Sequence, residues 1–278
     1  MSSKSDALVK LPLQEGYFTK MNNKDYHAID GISSTTLEDF ELSIAIYENR
    51  QHFKYHRTAF DVGSLIHDAL AYPEDYKNDY MECETVGMDT KKAQEQREAN
   101  PDKTVVGKGM LEIVEEIVLK TKLIYGNYIE VGAKECSFIF KDEDTGLIYK
   151  IKPDLHLLEH GIVLDYKSTK ETTHAGFLKT IEPYNYHRSA AFYIDGINKC
   201  IDKFKLPFKK VEQFGWICIP KEAPYKPFAF IASDELVEKG RVDYQRLINK
   251  YLEVKETGKD ELFKVAYSYE FRKNLIGA

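Results

Sequence analysis

Apolar residues recur every three to four positions through the first part of the chain and at every second position in its middle, so the pattern predicts helices followed by strands. Leu37, Phe40, Ile44 and Tyr47 fall at helical spacing behind Thr35 and Glu38, a capping-box pair that predicts a helix start. A second helix is expected over roughly residues 60–71, with Leu65, Ile66, Ala69 and Leu70 on one side and Pro73 as its stop. Residues 84–108 are polar, and KKAQEQREANPDK reads either as a solvated helix ending before Pro101 or as a mobile loop. Met110, Ile113, Val114, Ile117 and Val118 predict an amphipathic helix over 108–122.

The period then shortens to two. ECSFIF at 135–140, LIYKIKPDLHLL at 147–158 and IVLDYKST at 162–169 read as three consecutive strands separated by turn residues, a meander. A helix over 184–199 follows Pro183, then strand-like VEQFGWICI at 211–219 and PFAFIA at 227–232. Ser233 is the expected N-cap of a final helix, with Asp234 and Glu235 favourable to its dipole. Helices, βββ, α, ββ, α predicts a mixed α/β sheet wrapped by helices. No repeat, low-complexity tract or Gly/Ser/Pro-rich linker divides the chain, so one domain over residues 1–278 is expected.

Composition narrows the class. With 43% hydrophobic residues, 15 Phe and 19 Tyr in 278 residues, the chain can build a core and is not disordered. Its apolar stretches fall far short of the ~20 residues of a bilayer span, and its first ten residues lack a secretory apolar segment, so the expected compartment is the cytoplasm. Cys83, Cys136, Cys200 and Cys218 show no CxxC spacing, which argues against a zinc ribbon and predicts buried thiols. The net charge of −6 decides nothing about nucleic acid, because phosphate contacts are made by a local patch.

The chemistry sits in the middle. Side chains i and i+2 share a face of a strand, so in Val163-Leu164-Asp165-Tyr166-Lys167 the acid and the base point one way while Leu164 and Tyr166 point the other. Charge flanked by Ile162, Val163 and Leu164 must be paired or metal-bound. Eleven residues earlier stands Lys152-Pro153-Asp154, and the turn at Gly161 would bring Asp154 alongside Asp165. Two neighbouring carboxylates repel unless a cation lies between them or one is protonated, and oxygen donors select a hard ion such as Mg²⁺. Pro153 removes a ladder donor where the chain must turn Asp154 inward.

Asp154, Asp165, Tyr166 and Lys167 together read as PD…D-x-K, which resembles the signature of the PD-(D/E)XK nuclease superfamily. Gly63-Ser64-Leu65-Ile66-His67 resembles the G-x-x-x-H motif of its RecB-like branch. Tyr186-His187-Arg188 with Ala190, Ala191, Phe192 and Tyr193 resembles the helix that follows the D-x-K strand in that branch. Residues 25–33, together with FDVGSLIHDAL, look like the RecE-type phage recombination exonucleases, the exonuclease VIII group. The branch carries Q-x-x-x-Y on that helix; here Ser189 stands in the Gln place and Tyr193 is kept.

The resemblance implies a restriction-endonuclease-like core in which His67, Asp154, Asp165 and the main-chain carbonyl of Tyr166 bind Mg²⁺, with Mn²⁺ able to substitute. Lys167 would position water and stabilise developing charge, and Glu135, on the first meander strand, could reach a second ion. It further implies exonucleolytic digestion of linear double-stranded DNA from 5′ ends, leaving a 3′ strand for a RecT-like single-strand annealing protein. A homo-oligomeric ring of three or four subunits is implied as well. A different PD-(D/E)XK endonuclease or processing nuclease, or a non-catalytic DNA-binding member of the fold, are the other readings. His27, His52, His56, His156, His160, His174 and His187 have no defensible ligand spacing, and most are expected at the surface.

Overall fold

The computed structural model of the protein describes residues 14–48 and 62–260. Strand β1 (Gly16–Phe18) leads to α1 (Asn23–Ala28), α2 (Ser34–Leu42) and α3 (Ile44–Glu48). The cap of α2 is Ser33 rather than Thr35: its hydroxyl accepts the Thr36 N–H at 3.2 Å. The expected continuous helix breaks at Ser43, and Asp260 caps the second piece, accepting from the Ser43 hydroxyl and the Ile44 N–H at 2.9 Å each.

Next come α4 (Val62–Ala71), α5 (Tyr76–Asp79), β2 (Tyr80–Glu82), α6 (Lys91–Ala99), β3 (Thr104–Val106) and α7 (Met110–Val131). Phe60 and Asp61, the expected start of α4, lie outside the described residues, as do His52 and His56. The polar segment forms a helix that ends before Pro101, and it is bracketed by the short parallel pair β2·β3 that the pattern did not indicate. Helix α7 runs on to Val131 because Thr121 and Ile129 continue its buried face.

The middle is built from β4 (Ala133–Lys134), β5 (Ser137–Lys141), β6 (Ile148–Ile151), β7 (Leu155–Leu157) and β8 (Ile162–Thr169). After them follow α8 (His174–Ile181), α9 (Tyr186–Phe204), β9 (Gln213–Pro220), β10 (Phe228–Ile231) and α10 (Asp234–Thr257). The single expected strand 147–158 divides at Pro153, which cannot donate to a ladder. Its halves enter different sheets, β6 in the antiparallel sheet β1-β5-β6 and β7 in the sheet β10-β9-β8-β7-β4. In the latter β8 and β9 pair in parallel while the other pairs are antiparallel, so it is a mixed sheet. Ser233 caps α10 as expected, accepting from the Leu236 N–H at 3.3 Å. Helix α8, capped by Thr173, was not anticipated.

Alternation along β8 and β9 sends side chains into two cores. Val163, Phe214, Trp216 and Cys218 join α9, α10 and α2 on one face, and Leu164, Tyr166, Ile217 and Ile219 join α4 and α7 on the other. All four cysteines are buried and unpaired, as expected. Among the described residues no helix is long and apolar enough to cross a membrane.

Candidate active site

Leu155 pairs with Leu164 in the antiparallel β7·β8 ladder, so Asp154, one residue before β7, comes level with Asp165. One oxygen of Asp154 accepts the Tyr166 N–H at 2.6 Å, and the other lies 3.3 Å from His67 Nδ1. The His67 ring, presented by α4, meets Tyr166 edge-on with centroids 5.7 Å apart. On the opposite face of β8, Asp165 and Lys167 form an ion pair, as the i, i+2 alternation requires. Asp165 Oδ2 is buried and receives no hydrogen bond beyond that pair. Lys167 Nζ also stands 5.0 Å from the centre of the Tyr186 ring.

Glu135 is not on a strand. It lies between β4 and β5 with φ +52°, in the left-handed region, and its N–H donates to the Asp154 carbonyl at 3.2 Å. That turn aims its carboxylate at Lys152, 2.7 Å away. Tyr193, on α9, has its hydroxyl 3.5 Å from Ser34 Oγ, and burial raises its pKa well above the ordinary value, with the nearby Asp165 charge adding to the effect. Ser189 is half-buried one turn earlier, and its N–H donates to the Asn185 carbonyl. Of the other histidines, His27, His160 and His174 are exposed, but His156 and His187 are buried, at 3% and 5% exposure. Each faces the core, His156 from β7 and His187 from the first turn of α9, so the expectation that most histidines lie at the surface fails at these two.

An open cleft of about 700 Å³ lies over this network, with His67, Glu135, Lys167, Tyr184, Tyr186 and Lys221 among its lining residues. Its charges are strongly coupled. Burial alone would lower the pKa of His67, but the charge and hydrogen bond of Asp154, helped by Asp165, raise it to about 9. Burial opposes ionisation of Asp154 as well, yet His67, Lys167 and the Tyr166 N–H together hold its carboxyl below the usual range. Asp165 goes the other way: burial raises it, the Asp154 charge adds to that, and the Lys167 ammonium only partly offsets the two. Two adjacent acids are thereby driven apart, as expected for carboxylates sharing one site. Lys167 is raised despite its burial, because Asp165 and Asp154 both favour its charged form. Glu135 is raised by burial and by Asp154.

Among the described residues no three His, Cys, Asp or Glu side chains are grouped so as to hold a metal ion. The four residues instead compensate one another in two pairs, His67 with Asp154 and Lys167 with Asp165. By kind, the donor set fits a hard divalent ion: two adjacent carboxylates, largely buried, one of them with an oxygen that only the Lys167 ammonium faces, beside an imidazole. The sequence singled out Asp154, Asp165 and Lys167 because their spacing is local to one strand and one turn, and His67 through the resemblance of Gly63–His67 to a G-x-x-x-H motif. It gave no signal for the Glu135–Lys152 pair, which depends on a left-handed residue that is not glycine, nor for Tyr184 and Tyr186 on the cleft wall.

The sequence model of a family described as a PDDEXK-like domain of unknown function (DUF3799) matches residues 33–261. No curated protein matches the chain. Among solved structures, a candidate exonuclease of Eubacterium rectale superposes with a TM-score of 0.56 at 16% identity, over 85% of this chain and 87% of that one. A phage-related exonuclease from Haemophilus somnus 129PT gives a TM-score of 0.33 at 12% identity, over 71% and 95% of the two chains. The first of these is a likeness of fold.

Proposed function

The chain belongs to the PDDEXK-like family DUF3799, and on that premise we propose that it is a divalent-metal-dependent exodeoxyribonuclease of the RecE type. The observation that carries the reading is the meeting of His67, Asp154, Asp165 and Lys167 beneath one open cleft. The candidate exonuclease of Eubacterium rectale that shares the chain's fold agrees with it by name.

In this reading Asp154 and Asp165, with His67 and the Tyr166 carbonyl, hold Mg²⁺ or Mn²⁺, and Glu135 is placed to hold a second ion or its water. Such an ion would supply Lewis acidity at the phosphate and a water acidic enough to attack at neutral pH. Lys167, paired with Asp165 at the edge of the cleft, would orient water and offset charge building on the phosphate oxygens as an ammonium group. Tyr193, close enough to feel the charge of Asp165, supports the site from the α9 side. We further propose digestion of linear duplex from 5′ ends, a 3′ single strand handed to a RecT-like annealing protein, and a ring of three or four copies.

The test is a time course on linear duplex labelled separately at its 5′ and 3′ ends, run beside closed circular duplex, with Mg²⁺ or with EDTA. Release of nucleotides from linear DNA only, from the 5′ end first, and none with EDTA is the expected result. Equal rates for the parent and Asp165→Ala would remove the proposal.

A further inference from the structure

The cleft holds one feature that metal chemistry does not use. Phe177, fully buried, stacks on Tyr186 with centroids 5.8 Å apart and planes 24° from parallel, and Tyr186 stacks on Tyr184 at 5.6 Å and 26°. The three rings, inclined by 24° and 26° from one to the next, form a column in the loose sense of a series that starts in the core and ends at Tyr184, a cleft-lining residue left 61% exposed. Between the two tyrosines sits Asn185, with φ +55° and ψ +29°. A left-handed residue other than glycine costs free energy, and such strain persists where surrounding structure enforces it, often at functional sites. Here the turn at Asn185 lets two tyrosines only two positions apart stack on each other. The middle ring is the one over which Lys167 Nζ stands at 5.0 Å, so the column runs beside the ammonium assigned above to the phosphate. Lys170 and Lys221 also line the cleft, and neither is in an ion pair among the described residues; Glu171 is the acid beside them.

Resting on the nuclease reading, we propose that Tyr184 is a stacking platform for an unpaired nucleobase. A flat ring backed by a neighbouring ring and 61% exposed offers a face to another flat ring, and every base has one irrespective of sequence. Lysines flanking the ring complete the pattern by which single strands are held, aromatic faces for bases and cations for phosphates. Bases inside a duplex have both faces covered. The cleft therefore receives the strand it cuts with its end peeled away from the complement, and it prefers frayed ends to flush ones.

The test measures binding by fluorescence anisotropy with Ca²⁺ in place of Mg²⁺, using a duplex whose labelled end carries mismatched, unpaired nucleotides. A second duplex carries abasic units at those positions. Tyr184→Ala is expected to weaken binding to the first duplex on the order of ten-fold, the scale of one base–aromatic stack. Tyr184→Phe should bind as the parent does, and on the abasic duplex all three proteins should bind alike. Equal binding of the parent and Tyr184→Ala to the frayed duplex would overturn the platform, as would an equal loss on the abasic one. A parent that cleaves DNA while Tyr184→Ala loses nothing removes the platform alone; a parent that neither binds nor cleaves DNA removes the nuclease reading and the platform with it.

Discussion

Asp154 accepts the backbone N–H of Tyr166 at 2.6 Å, so the acid that precedes β7 is fastened to the middle of the D-x-K strand by a main-chain donor. The same carboxylate lies 3.3 Å from the imidazole of His67, and one side chain thus joins helix α4 to strand β8. Two jobs, holding the fold and carrying charge, meet in one residue and can be separated by substitution.

Asp154→Asn keeps an acceptor for the Tyr166 N–H but gives up the charge that faces His67, so its melting temperature should fall less than that of Asp154→Ala while nuclease activity is lost. Asp154→Ala also leaves a buried backbone donor unpaired, which costs about 1–3 kcal/mol. Thermal unfolding of both variants beside a DNA-degradation assay checks this. Equal melting temperatures for Asn and Ala would show that the hydrogen bond does not support the strand, and an active Asp154→Asn would show that the charge is not used.

The difference between what was legible and what was not follows from the range of the interactions. The acid and base of the D-x-K strand could be read because their face is set by an alternation three residues long, and Ser233 because a cap is a contact with the next turn. The division at Pro153 was visible as a missing donor, but its consequence, two halves in two sheets, depends on which strands lie alongside. Tyr17 provides one such neighbour: its hydroxyl meets His156 Nε2 at 3.1 Å across much of the chain, giving that histidine a polar partner in a core its own strand cannot announce. Glu135 was misplaced because a left-handed acidic residue looks like any other in sequence, and here the contact with the Asp154 carbonyl accompanies it. Helix α7 was read short because Leu119 and Leu123 put apolar side chains on its exposed side and blur the stripe.

At Gly240 the backbone of α10 lies directly against the start of α9. A Cβ built there would lie 2.0 Å from the His187 carbonyl oxygen and 2.5 Å from its carbon, both backbone atoms that cannot swing aside. Gly240→Ala should therefore force the helices apart and destabilise the protein by roughly 1–3 kcal/mol, although alanine is the better helix former. At ~2–4 °C per kcal/mol for chains of about 150–250 residues, the melting temperature should drop by several degrees. Calorimetry or far-ultraviolet dichroism on heating measures it; a variant as stable as the parent would mean that the contact relaxes at no cost.

Asp142, 3% exposed in the turn between β5 and β6, sets the expected response to acid. Burial pushes its carboxyl up, but the Lys199 ammonium and the hydroxyl and N–H of Thr145 outweigh burial and hold it below its ordinary value of 3.8. A carboxyl that is more acidic in the folded than in the unfolded chain adds stability above its unfolded value and loses it as pH falls through the folded one. Lys199→Met removes the leading counter-charge and leaves burial opposed by Thr145 alone, so the folded value moves upward. The variant should then be less stable than the parent near neutrality and begin to lose stability at a higher pH on acidification. The gap should close in strong acid, where Asp142 is protonated in both proteins. Urea unfolding midpoints followed from pH ~7 down to pH ~2 resolve the two curves. Curves that stay parallel over that range would mean that Lys199 acts through packing of its stem and not through the charge of Asp142.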